Sequence, residues 1–181
     1  MNQIREYAKV HFAFLNKYGY ILSKVKSDNL VSFVGKKNQM DIIFSTISYE
    51  ISCQFVDSDN NTFSLQDGLT YKDIQGFRGF YQIANKNEME KGIIYLGEAV
   101  KKLFQEIDIS DSLNFQNICQ FRIDMHKDSL KKYYAEIDLK KAEVYWKRKE
   151  YVKAKELFEK NIDHLSKTQR KMLEYTIKQI R

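Results

Sequence analysis

Between Leu30 and Phe55 the apolar residues tend to fall at every second position, whereas before Tyr18 and after Met89 they recur at every third or fourth. No other pattern in the chain narrows its fold as far. A two-residue repeat lines one face of a strand, and a repeat near 3.6 lines one face of a helix. This part opens with LVSFV at 30 to 34; Met40, Ile42 and Phe44 then alternate with more polar neighbours, and so do Tyr49, Ile51, Cys53 and Phe55. Turn-forming clusters at 27 to 29, 35 to 38 and 57 to 61 separate these segments, so they predict a meander of antiparallel strands with one wet face. Thr62 to Leu65 follows as an edge strand. Ile21, Leu22 and Val25 form a short apolar group before the meander.

Helical spacing brackets this sheet. Ile4, Ala8, His11 or Phe12, Leu15 and Tyr18 share one face of a first helix, which Gly19 is placed to end. Gln66 to Gly79 is a connection with a helical turn, carrying glycines at 68, 76 and 79. Asn85 and Glu88 then stand in N-cap spacing before Met89, Ile93, Leu96, Val100, Leu103 and Ile107. That helix is expected to cover the sheet. From Ser112 onward every segment reads as helix, although the alternation in FRIDM at 121 to 125 weakens the signal there. The expected fold is α+β: an N-terminal helix and a small antiparallel sheet covered by helices in residues 1–108, followed by an all-helical unit in 109–181 packed on it.

Within the helical part, Ala142, Tyr145 and Trp146 fall on one face; Ala154, Leu157, Phe158, Ile162 and Leu165 fall on the face of a following helix. Lys149, Glu150 and Tyr151 connect the two. Ser166 and Gln169 open a third helix in capping-box spacing, and Met172, Leu173, Thr176, Ile177 and Ile180 form its stripe. Three short amphipathic helices with Ala142, Tyr145, Tyr151, Ala154 and Phe158 at these intervals resemble one tetratricopeptide repeat of about 34 residues plus a capping helix. Ala142 stands where that repeat often has glycine, Asn161 where it has a small residue, and Ser166 where it has proline. A lone unit must bury its apolar face against the rest of the chain or a second copy of it, because solenoids need several repeats.

The order of features also resembles a group of small uncharacterised bacterial proteins, some of which look like immunity proteins lying beside secreted polymorphic toxins. The stretches that carry the likeness are YGY at 18 to 20, SYEIS at 48 to 52, AEVYW at 142 to 146, YVKAKELFEK at 151 to 160 and LSKTQRKMLEY at 165 to 175. The resemblance implies a protein that works by binding a protein partner, such as a toxin, and it brings no catalytic signature.

Charge and chemistry narrow the function further. The net charge of +6 lies wholly in the second part: residues 1–108 hold 13 Lys and Arg against 13 Asp and Glu, and residues 109–181 hold 17 against 11. A basic half suits contact with nucleic acid or an acidic partner, or a solvated lysine-rich helix surface. Two isolated cysteines, Cys53 and Cys119, form neither a disulfide framework nor a metal motif. His11, His126 and His164 lack a second ligand at metal spacing, and His11 is expected in the core. The turn at Asp57, Asp59 and Asn61 has Thr62 where a calcium loop needs glycine and Gly68 where it needs glutamate. Gly35-Lys36-Lys37 lacks the remainder of a phosphate loop. Asp124, Asp128, Glu136 and Asp138 read as a solvated face.

No catalytic residue, metal or cofactor is therefore expected. Neither a leader peptide nor a membrane span is read in the chain, and a cytoplasmic location is the expectation. Candidate partner-binding residues are Phe77, Arg78, Phe80 and Tyr81 in the FRGFY connection, together with Trp146, Lys147, Arg148 and Lys149. Aromatic residues and arginine are enriched at binding hot spots. Two of the FRGFY rings have a second role open to them, anchoring the loop into the core. Nucleic-acid binding through the basic C-terminal helices is the alternative to protein binding.

Overall fold

The computed structural model describes residues 3–24, 27–84 and 88–180. It is an α+β protein that separates into two compact units, residues 1–123 and 124–181. The first unit contains α1 (Gln3–His11), a 3-10 turn (Ala13–Tyr18), six strands, α2 (Leu65–Tyr71) and α3 (Met89–Glu106). The strands are β1 (Ile21–Leu22), β2 (Leu30–Val34), β3 (Asn38–Ser45), β4 (Glu50–Asp57), β5 (Thr62–Ser64) and β6 (Phe80–Gln82). All pairings are antiparallel in the order β1-β2-β3-β4-β5, and β6 joins β4 beside Glu50–Ser52.

Register turns the alternating sequence into a continuous apolar face. Phe33 opposes Met40, Met40 opposes Phe55, and Phe55 opposes Phe63; all four are buried. Val31, Ile42 and Cys53 form the next row. The rings of Phe55 and Phe63 stack at 4.8 Å, and Phe63 meets Phe115 edge-on at 4.9 Å. Over this face lie Ile93, Leu96, Val100 and Leu103 of α3, with Ile4 and Ala8 of α1 in the same core. The opposite face carries Ser32, Asp41, Gln54 and Ser64 in one row, with Gln39 and Gln54 amides donating to Asp41. This face is polar but only partly open, with Asp41 4% exposed and Ser32, Gln54 and Ser64 half-buried, where the alternation predicts a wet face.

Local signals account for several element ends. Gly19 adopts a left-handed φ of +81°, and the N–H groups of Gly19 and Tyr20 close the preceding turn. The first helix is shorter than its spacing suggests, since the chain tightens to 3-10 geometry after His11. Phe12 takes the buried position, while His11 is half-exposed with Nε2 4.0 Å from Glu90. This corrects the placement of His11 in the core. α2 extends the expected helical turn and opens with a capping box between Ser64 and Asp67. Val25 and Asn85 lie outside the described residues; Glu88 accepts a hydrogen bond from the Ala84 N–H.

α4 (Ser112–Lys147) is a single helix of 36 residues, so the short helix expected around Ala142, Tyr145 and Trp146 is the end of a long one. Asp111 caps it, accepting from the N–H groups of Leu113 and Asn114 at 3.0 Å each. Its first part belongs to the first unit: Phe115, Ile118 and Cys119 are buried in the sheet core, as is Ile109 just before the helix, and Arg122 donates to the Thr62 hydroxyl at 2.8 Å. The division between units thus falls after Ile123, not at 108/109. Residues 124–134 are exposed on every side of the helix. FRIDM lies where burial gives out: Phe121 still meets the Tyr71 ring at 5.5 Å and Arg122 is half-buried, whereas Ile123, Asp124 and Met125 are exposed, so no helical period runs through it.

The second unit contains the rest of α4, α5 (Tyr151–Lys160), a 3-10 turn (Ile162–His164) and α6 (Lys167–Ile180). Leu139, Ala142, Ala154, Phe158, Leu165 and Leu173 form its core, with Tyr145 and Trp146 half-buried against it. Ser166 and Gln169 make the expected reciprocal cap. Ile162 and Ile180, read as part of apolar stripes, are 52% and 40% exposed, because each lies at the end of its element.

Candidate functional site

The two groups of candidate residues occupy different units. In FRGFY, Phe77 and Tyr81 turn inward: both are half-buried and pack against the Tyr95 ring at 5.7 and 5.4 Å. Arg78 is exposed, its backbone N–H donating to the Tyr95 hydroxyl. Phe80, one position along β6 from Tyr81, is 37% exposed. Two rings of the segment therefore hold it to the core, leaving Arg78 and Phe80 accessible.

Of the C-terminal group, Trp146, Lys147 and Lys149 line a cleft in the helical unit. α4 ends at Lys147, and Lys149 closes it with φ at +63°. The Lys149 N–H donates to the Trp146 carbonyl and the Glu150 N–H to the Tyr145 carbonyl, both at 3.0 Å. This pair of bonds ends a helix through a left-handed residue, a position that glycine fills most often. A side chain there costs about 1–2 kcal/mol. The reversal sets Tyr151 at the start of α5, opposite Thr168, Lys171, Met172 and Tyr175 of α6.

Together with Trp146, Lys147 and Lys149 these residues bound an open cleft of about 620 Å³ whose lining is mainly apolar. Tyr175 is its centrepiece, meeting both Trp146 and Tyr151 edge-to-face at 6.0 Å. Desolvation, then the neighbouring Tyr175 phenol, pushes the pKa of the Tyr151 hydroxyl above its ordinary value. The Trp146 indole nitrogen is buried and finds no acceptor among the described residues, an arrangement that costs roughly 1–3 kcal/mol.

The rim is cationic. Lys147, Lys149 and Lys171 are exposed, and among the described residues none has a carboxylate within ion-pair distance. Their neighbours differ: Lys153 pairs with Glu150 at 2.7 Å, Lys155 with Glu159 at 3.6 Å and Lys160 with Asp138 at 2.8 Å. Arg148 is exposed and lies outside the cleft lining.

Thr168, Lys171 and Tyr175 are not among the expected binding residues, and Met172 is expected only as part of an apolar stripe, although their spacing places all four on one face of a helix. They are masked by the adjacent stripe, of which Leu173 and Thr176 are buried. Among the carboxylates read as solvated, Asp124 and Asp128 face Lys127 and Lys131 at 3.8 and 3.7 Å. Among the described residues no group of three or more His, Cys, Asp or Glu is placed to hold a metal ion, and no helix is long and apolar enough to cross a membrane. Compared with protein families, curated proteins and solved structures, the chain matches none.

Proposed function

We propose that this chain is a cytoplasmic protein-binding module that acts by covering its partner rather than by catalysis, in the manner of an immunity protein against a toxin. The observation that carries the reading is the cleft between the end of α4 and α6, where rings and a methionine form an apolar surface beside three lysines that have no carboxylate within ion-pair distance among the described residues. Apolar surface held open to water and framed by charge is the usual anatomy of a recognition site. The charge of the unit supports it: residues 124–181 hold 16 Lys and Arg against 10 Asp and Glu, whereas residues 1–123 hold 14 of each. Expression with the product of the neighbouring gene tests the reading. Rescue from toxicity and a complex that survives co-purification are expected; neither rescue nor complex overturns it.

A second reading, nucleic-acid binding, draws on a different surface. Tyr133 and Tyr134 are 59% and 62% exposed on α4, directly after Lys131 and Lys132. Exposed rings interleaved with lysines suit single-stranded nucleic acid. Such binding must weaken steeply with salt as counterions are released, and it must fall when Lys131 and Lys132 are changed to glutamate. Salt-independent binding, or none, excludes it.

A further inference from the structure

We infer that the cleft on the second unit receives an acidic segment of the partner, in which one apolar or aromatic side chain is flanked by carboxylates. This rests on the protein-binding reading and specifies its chemistry. A volume of about 620 Å³ falls within the roughly 300–1,000 Å³ typical of ligand sites, and the apolar lining calls for an apolar group. Trp146, Tyr175 and Tyr151 meet edge-to-face, so they form a wall of ring edges and faces rather than parallel platforms. A nucleobase inserted there would leave most of its polar edge atoms unpaired against apolar surface, which is costly. A phenylalanine or leucine side chain carries no such cost.

Lys147, Lys149 and Lys171 specify what must flank that anchor. With no carboxylate among the described residues within ion-pair distance, they repel one another at the rim and attract an anion of the partner. The strained φ of Lys149 is consistent with this role, because glycine would close the helix more easily yet would supply no cation. The occupant is therefore acidic and singly anchored.

Trp146 is the chain's sole tryptophan, so its emission reports on the cleft wall. The full chain is titrated with end-blocked heptapeptides carrying three glutamates on each side of a central phenylalanine. Controls have central alanine, or lysine in place of glutamate, and a ten-residue oligothymidylate is run in parallel. We expect a saturable change in emission with the Glu-Phe peptide, weaker by about tenfold or more with either peptide control. The same loss is expected in the Lys147→Glu, Lys171→Glu double variant, whose two sites are exposed and whose fold is checked by circular dichroism. Equal binding of the lysine-flanked peptide, tighter binding of oligothymidylate, or no binding at all overturns the inference. If the neighbouring gene product still binds the double variant with wild-type affinity, the cleft assignment fails while the protein-binding reading stands. If the wild-type chain also captures no such product, both fail.

Discussion

Gly79 sits against Gln66 so closely that a Cβ at residue 79 would lie 2.3 Å from the Gln66 backbone nitrogen, while the Gly79 N–H donates to Gln66 Oε1 at 3.0 Å. The middle of FRGFY is thereby keyed to the first turn of α2, and the obstacle is backbone, which cannot rotate away. Gly79→Ala is expected to cost about 1–3 kcal/mol or more, measured as a lower urea midpoint. A variant as stable as the parent would show that the loop has room to move.

At the end of α4 the opposite substitution should help. Lys149→Gly relieves the left-handed strain and, after the entropy glycine adds to the unfolded chain, is expected to gain roughly 0.5–1 kcal/mol. Equilibrium unfolding at unchanged denaturant slope reads this directly. Reduced stability would mean that the lysine side chain makes contacts which outweigh the strain.

Lys160 holds the carboxyl of Asp138 below its ordinary titration range through the hydrogen bond at 2.8 Å, with Asn161 adding to the effect. A depressed folded-state pKa means stability that is present above the unfolded value and lost as pH falls through the folded one. Lys160→Met should return the Asp138 titration toward that of a free carboxylate, followed by side-chain NMR. An unchanged titration would remove Lys160 as the cause.

Both thiols are shielded. Burial, then the Asp57 carboxylate, pushes Cys119 up to about 11 from 9.0; burial, then Asp41, raises Cys53 as well. At pH 8 alkylation of Cys119 in the native chain should run roughly a hundredfold slower than in urea, in proportion to the thiolate present. Because the folded state favours the protonated thiol, the stability it contributes is complete below about pH 9 and declines toward pH 11. Mass spectrometry of the two alkylated states provides the comparison.

Residues 124–134 of α4 bury no face, so their helical hydrogen bonds lack tertiary support. Amide exchange should be faster there than around Ile118 or Ala142. Leu130→Ala, at 54% exposure, is expected within about 0.5 kcal/mol of the parent. Leu139→Ala, at 5% exposure, should cost roughly 2–5 kcal/mol. Equal effects at the two sites would show that the exposed stretch is covered in solution.

The sheet was readable wherever one face is buried and apolar and the other polar, since that contrast imposes a two-residue rhythm on the chain. Met40, Ile42, Ile51, Cys53 and Phe55 announce it, and Ile93, Leu96, Val100 and Leu103 announce the helix above. The cap at Ser166 and Gln169 was equally plain, because its partners are three residues apart. Where no face is buried, as in 124–134, or where apolar stripes adjoin, as on α6, periodicity loses its meaning. His11 and Phe12 differ by one position, too little for spacing to choose between them.

Local composition and period thus determined on their own that helices flank an antiparallel meander, and that the excess of positive charge belongs to the later helices. Only the tertiary structure decided that Tyr175 meets both Trp146 and Tyr151, that the three lysines beside them find no carboxylate within ion-pair distance among the described residues, and that α4 is one helix from Ser112 to Lys147. The physical reason is distance along the chain. A strand or helix face is written in residues two to four apart, whereas this cleft is assembled from residues 146 to 151 and 168 to 175, whose meeting is set by packing.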